Sequence, residues 1–122
     1  MPALRRPQRL PEDAKPPFEV RFTELRVEPW PDGRRIRVHL TLTSFQENPS
    51  LDVILADDHG DEIARADIIE TAENRMVFTM HIRKRSASDS YQLTANITYP
   101  EAGTVDTRSV DFQITPASSG DA

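Results

Sequence analysis

Apolar and polar residues alternate along three stretches of the chain. Ile36, Val38, Leu40 and Leu42 are separated by Arg37, His39 and Thr41. Met76, Phe78, Met80 and Ile82 are separated by Val77, Thr79 and His81. Tyr91, Leu93, Ala95, Ile97 and Tyr99 are separated by Gln92, Thr94, Asn96 and Thr98. Successive side chains of a strand point to opposite faces, so each stretch predicts a β-strand with one buried and one wet side.

Two further strands change parity midway. Phe18, Val20 and Phe22 occupy even positions, whereas Leu25 and Val27 occupy odd ones. Near the other end Val105 and Thr107 give way to Val110, Phe112 and Ile114. A one-residue slip moves the apolar set to the opposite face unless a residue is inserted. The pattern therefore predicts bulges near Thr23–Glu24 and near Arg108–Ser109, and bulges favour edge strands. Leu51–Leu55 supplies another short strand. Residues 61–75 are open to two readings: a strand over 62–69, favoured because every neighbour is β, or a short helix capped by Asp61.

Turn chemistry separates these runs. Pro29-Trp30-Pro31-Asp32-Gly33, Gln46–Ser50, Asp57–Asp61, Ser86–Ser90 and Pro100–Gly103 carry the Gly, Pro, Asn and Asp that turns require. Five of the ten prolines fall within residues 1–17. Proline fixes φ and removes backbone donors, so 1–17 is expected to be a disordered tail, as is 116–122, around a domain at 18–115.

The run Asp89-Ser90-Tyr91-Gln92-Leu93-Thr94-Ala95-Asn96-Ile97-Thr98-Tyr99-Pro100, followed by Val110-Asp111-Phe112-Gln113-Ile114, resembles the last two strands of bacterial immunoglobulin-like and fibronectin type III-like domains. The resemblance implies an all-β, immunoglobulin-like antiparallel β-sandwich of about seven strands. It also implies that Tyr91 packs its ring and bonds its hydroxyl to nearby backbone, as a tyrosine corner does. The chain departs from antibody domains: it has no cysteine pair, and Trp30 stands in a turn. Such sandwiches imply no single activity.

Composition narrows the chemistry. The chain has 122 residues, a one-domain length, and no cysteine, which removes disulfides, thiolate zinc sites and cysteine nucleophiles. No apolar run is long enough to span a bilayer, and none follows Arg5 and Arg6 as in a signal peptide, so a soluble cytoplasmic protein is expected. The net charge is −5, while residues 1–17 are basic through Arg5, Arg6, Arg9 and Lys15, which leaves the body more acidic still. That balance argues against nucleic acid as a partner.

Candidate sites are few. His39 and His81 lie on the wet faces of the second and fifth strands, neighbours in an immunoglobulin-like order. They could form a metal pair or simply be solvated, and no third ligand is evident. Asp57, Asp58, Asp61 and Glu62 could hold calcium or form a solvated turn. Gln92, Thr94 and Asn96 form a flat neutral polar face suited to docking a protein or sugar. Trp30 could be an exposed aromatic anchor or a cap on the core. No catalytic constellation or cofactor motif is present, so the expected function is a non-catalytic protein-interaction module. It would bind another protein through a face, an end loop or an edge strand, self-association by an edge included. The alternatives are a carbohydrate-contact or envelope-associated spacer and, less favoured, a small enzyme.

Overall fold

The three alternating runs become strands whose apolar sides meet in one core. In the computed structural model, residues 13–86 and 88–114 are described. They form β1 (Phe22–Pro29), β2 (Arg35–Leu42), β3 (Ser50–Ala56), β4 (Glu62–Ile68), β5 (Arg75–His81), β6 (Ser90–Tyr99) and β7 (Gly103–Gln113). Residues 62–68 are strand rather than helix. Two antiparallel sheets, β1-β2-β5 and β4-β3-β6-β7, make an all-β sandwich.

Burial follows sequence parity. Ile36, Val38, Leu40 and Leu42 on β2 face Leu51, Val53 and Leu55 on β3 and Leu93, Ala95 and Ile97 on β6, all at most 3% exposed. A fully buried aliphatic side chain contributes roughly 1.5–3 kcal/mol, so the central strands carry most of the stabilisation. Tyr91 packs on Phe112 with ring centroids 5.6 Å apart. Its hydroxyl accepts the Ser86 N–H at 3.0 Å, the arrangement expected of a tyrosine corner.

Three edge strands carry an extra residue. In β1, Thr23 is skipped between the pairs Phe22↔Leu42 and Glu24↔Thr41, as the parity change predicts. In β4, Ile63 is skipped between Glu62 and Ala64. In β7 the extra residue is Val105, between Thr104 and Asp106, and not Arg108 or Ser109, which pair regularly with Ala95 and Thr94. The expectation of a bulge near Arg108–Ser109 is thus corrected. Residues 106–109 hold no apolar side chain to mark where the parity turns.

The chain also enters the sandwich differently from the expectation. Pro17–Glu19 is a 3-10 turn, with Phe18 64% exposed, so the first strand begins at Phe22 and not at Phe18. Before it, Lys15 forms a parallel bridge with Phe45: its N–H donates to Ser44 O and its carbonyl accepts from Gln46 N–H, both at 2.9 Å. Of the residues read as tails from the sequence, 1–12 and 116–122 lie outside the described residues, whereas Asp13–Pro17 lie within them.

Candidate functional site

The outer face of β4-β3-β6-β7 is built from the polar positions of β6 and β7. Gln92 Nε2 donates to Asp111 Oδ1 at 3.0 Å, and Thr107 Oγ1 donates to Asn96 Oδ1 at 2.6 Å. Thr94 and Ser109 share a hydroxyl–hydroxyl bond of 2.9 Å, and Gln113 Nε2 donates to Ser90 Oγ at 3.2 Å. Gln92, Thr94 and Asn96 therefore lie on one polar face, which also carries the carboxylates of Asp111 and Asp52. Its groups are engaged across the strands, where such pairs fix register.

The outer face of β1-β2-β5 is charged and contains the histidines, but it keeps them apart. His39 is opposite Val77, and His81 is opposite Arg35, four positions further along the ladder. Of the two readings of the histidines, register removes the pair: the two side chains share a face but not a neighbourhood. His39 Nε2 lies 3.0 Å from Glu28 Oε1, and this bond holds the Glu28 carboxyl below its ordinary range. Among the described residues no cluster of three His, Cys, Asp or Glu side chains could hold a metal ion.

Trp30 is neither a core cap nor an isolated anchor. Its N–H closes the β1–β2 hairpin on Arg35 O at 2.9 Å, and its ring lies on the outer face. The Arg35 guanidinium sits 4.1 Å from the ring centroid and that of Arg37 5.4 Å from it, both within cation–π range. Asp32 Oδ2 holds Arg35 from the side at 2.9 Å, and the Arg34 N–H keeps the Asp32 carboxyl below its usual range.

The acidic turn is organised by one buried carboxylate. Asp57, 7% exposed, accepts the N–H groups of His59 and Asp61 on Oδ1, both at 2.9 Å. Gly60 closes the turn at φ +85°, a backbone conformation that costs glycine little. Asp58 is held below its ordinary range, first by a hydrogen bond from the Ser88 side chain. A shallow depression of about 690 Å³ lies beside this turn and is lined by Tyr91, Gln92 and Asp111 as well.

A different feature, not visible in any motif, lies between β4 and β5, the edges of opposite sheets. On β4 the inward positions are Ala64, Ala66 and Ile68, paired with Leu55, Val53 and Leu51 of β3. Alanine is too short to reach the facing sheet, so a lateral groove of about 390 Å³ opens beside Ala64, Ala66, Thr79, Met80 and His81. The partly buried Met76 and Phe78 line the same seam on β5.

The ladder shows what the β5 edge offers. Leu42 N–H donates to Asn74 O and Ile82 N–H to Arg34 O, both at 2.8 Å. Bonded pairs of an antiparallel ladder recur at every second residue. With Val38 opposite Phe78 and Ile36 opposite Met80, the even-numbered residues of β5 bond to β2. Arg75, Val77, Thr79 and His81 turn their N–H and C=O groups to the free edge. No register shift interrupts β5, and Val77 is 53% exposed.

No protein-family model matches the chain, and no curated protein matches it. Solved structures do. The apo β-glucuronidase from Ruminococcus gnavus superimposes with a TM-score of 0.51 at 17% identity, over 79% of this chain and 16% of that one. The same enzyme in complex with D-glucuronic acid gives the same figures. Its complex with uronic isofagomine at 1.3 Å resolution gives 0.50 at 16% identity, over the same shares. At such identity the likeness shows the fold alone: a β domain that matches a small part of a much longer chain. No helix among the described residues is long and apolar enough to cross a membrane.

Proposed function

We propose that this chain is a non-catalytic interaction module of immunoglobulin-like or fibronectin type III-like build, working in the cytoplasm and taking a partner protein by strand addition at β5. The observation that carries this reading is the difference between β5 and the other three edges. β1, β4 and β7 each hold a bulge, at Thr23, Ile63 and Val105, and β1 also ends in Pro29. Bulges and prolines are the usual ways in which an edge is kept from pairing. β5 has neither, and its free N–H and C=O groups stand beside an open groove that Ala64, Ala66 and Met80 share with Glu62, Arg65 and Arg83. Main-chain bonds along such an edge give affinity, and pockets beside it select side chains.

A photo-cross-linking residue at Thr79, compared with one at Thr94 on the opposite sheet, tests this in the cells that make the protein. A discrete adduct from position 79 and none from 94 is expected. Adducts from position 94 alone, or from neither, would overturn the reading.

A second reading has an observation of its own. The likeness to part of a β-glucuronidase favours a carbohydrate-contact or envelope-associated spacer. Saturable binding of a glucuronic acid-containing oligosaccharide, lost when Gln92 and Thr94 are changed to Ala, would favour that role over strand addition.

A further inference from the structure

We propose that the segment added at β5 is an extended stretch of another protein in which acidic residues alternate with apolar ones. This rests on the reading of β5 as the docking edge and specifies what docks there. Three features of the edge set the chemistry.

The first is the ladder. Val77, Thr79 and His81 each present one N–H and one C=O outward, enough to bind an extended segment but not a helix, whose own groups are already bonded.

The second is charge. On the outer face of this sheet the carboxylates Glu24 and Glu28 are on β1, the strand furthest from the free edge, where they neighbour Thr41 and His39. The half of the face next to the edge has Arg75 on β5 and Arg83 just beyond it, with Arg37 on β2 between Glu28, its cross-strand partner on β1, and Thr79 on β5. Among the described residues none of these three arginines has a carboxylate within ion-pair distance. A strand added at about 5 Å would set its outward side chains beside Val77, Thr79 and His81, within reach of those arginines. Opposite charges in cross-strand positions stabilise a sheet and like charges destabilise it. The body as a whole is acidic, so this basic strip is a local property of the edge and not of the chain.

The third is the groove. Alternate side chains of the added strand would point inward, over Met80 and toward Ala64 and Ala66, into the space that the alanines leave open. Apolar side chains would cover Met80 and the two alanines there, beside the charged Glu62, Arg65 and Arg83 that also line the groove. A second copy of this chain fits less well. Edge-to-edge pairing of β5 with itself would place two arginine-bearing strips side by side, and neither would supply a carboxylate.

The test uses synthetic peptides and the full chain labelled with nitrogen-15. One peptide alternates Glu with Val; a second has Lys in place of every Glu. The Glu–Val peptide is expected to slow hydrogen exchange at Val77, Thr79 and His81, and to bind about tenfold more tightly than the Lys–Val peptide. Arg75→Glu should reverse that preference, and Ala66→Phe, which fills the groove, should weaken binding of the Glu–Val peptide. Equal protection of the three amides by both peptides would overturn the acidic partner while leaving β5 as a docking edge. Binding of the Glu–Val peptide without protection of those amides would overturn both readings. No binding of either peptide would overturn the partner proposed here, and cross-linking at Thr79 would then decide the edge separately. Concentration-dependent dimers that protect the β5 amides would identify the occupant as a second copy and overturn it too.

Discussion

Asp106 Oδ2 accepts the backbone N–H of Phe22 at 2.9 Å, joining β7 to β1 across the side of the sandwich. The bulge at Thr23 makes this bond possible. It moves Phe22 out of the alternation that binds the rest of β1 to β2, so its N–H faces the other sheet. Phe22 is 2% exposed, and its amide needs a partner. Asp106→Ala removes that partner and should cost about 1–3 kcal/mol. Asp106→Asn keeps an acceptor oxygen and should cost less than half as much. Urea denaturation of the three proteins measures both, and equal losses for Ala and Asn would show that the bond contributes nothing.

The same contrast shows how much the sequence could reveal. The bulge at Thr23 was legible because apolar residues flank it closely, Phe22 on one parity and Leu25 on the other. The bulge at Val105 was not legible: the change of parity showed, but Asp106, Thr107, Arg108 and Ser109 carry no apolar signal, and the expectation fell on Arg108–Ser109 instead. His39 and His81 were correctly placed on one face, but their separation depends on the register of β2 against β5, which loop geometry and packing decide. The place of Tyr91 followed from the resemblance of its run to the penultimate strand of immunoglobulin-like domains. The side on which the sandwich stays open did not, because Ala64 and Ala66 read as ordinary strand residues until β5 is seen opposite them. Chain position says little about which strand lies at an edge. Only sheet order shows that β5 lacks both a second neighbour and a bulge.

Asp57 makes a prediction about calcium. Its Oδ1 already accepts two backbone N–H groups, from His59 and Asp61, so ligation would break bonds that shape the turn. A metal that binds the folded state raises the melting temperature as its concentration rises above the dissociation constant. Millimolar calcium should therefore leave the melting temperature unchanged. Asp57→Ala should lower stability by about 1 kcal/mol, because two partly buried backbone donors lose their acceptor. A calcium-dependent rise in melting temperature that Asp57→Ala abolishes would contradict this assignment.

Tyr99 gives a pH signature. Burial, assisted by the charge of Glu47, pushes its hydroxyl up to about 12, and the hydroxyl donates to Glu47 O at 2.8 Å. An unfolded chain would ionise the same group near 10. Between those values the folded state binds more protons than the unfolded one, so stability falls as pH rises from about 10 to about 12. Below 10 the contribution is fully present. Tyr99→Phe should remove this alkaline loss, and a comparison of urea midpoints at pH 9 and pH 11.5 in the two proteins reads it directly. The same slope in both would exclude Tyr99 as its source.

The ladder of β5 predicts a difference between adjacent residues. Proline lacks an N–H, and in sheets it is tolerated where that N–H would face solvent from an edge. Thr79 turns its N–H outward, whereas Phe78 gives its own to Val38 on β2. Thr79→Pro should therefore restrict φ without breaking a ladder bond. Phe78→Pro should break one in a half-buried strand, at an added cost of about 1–3 kcal/mol. Phe78→Ala measures the lost packing alone, and subtracting it isolates the backbone contribution. Circular dichroism with urea denaturation gives the three values. If Thr79→Pro costs as much as Phe78→Pro after that correction, the Thr79 amide is not free and β5 has no open edge to offer. If Thr79→Pro keeps the fold, it becomes the sharpest tool for the docking experiment. It deletes the central donor of the edge while leaving Arg75 and Arg83 in place, so a partner that adds as a strand should bind it more weakly, and one held by charge and apolar contact alone should bind it equally well.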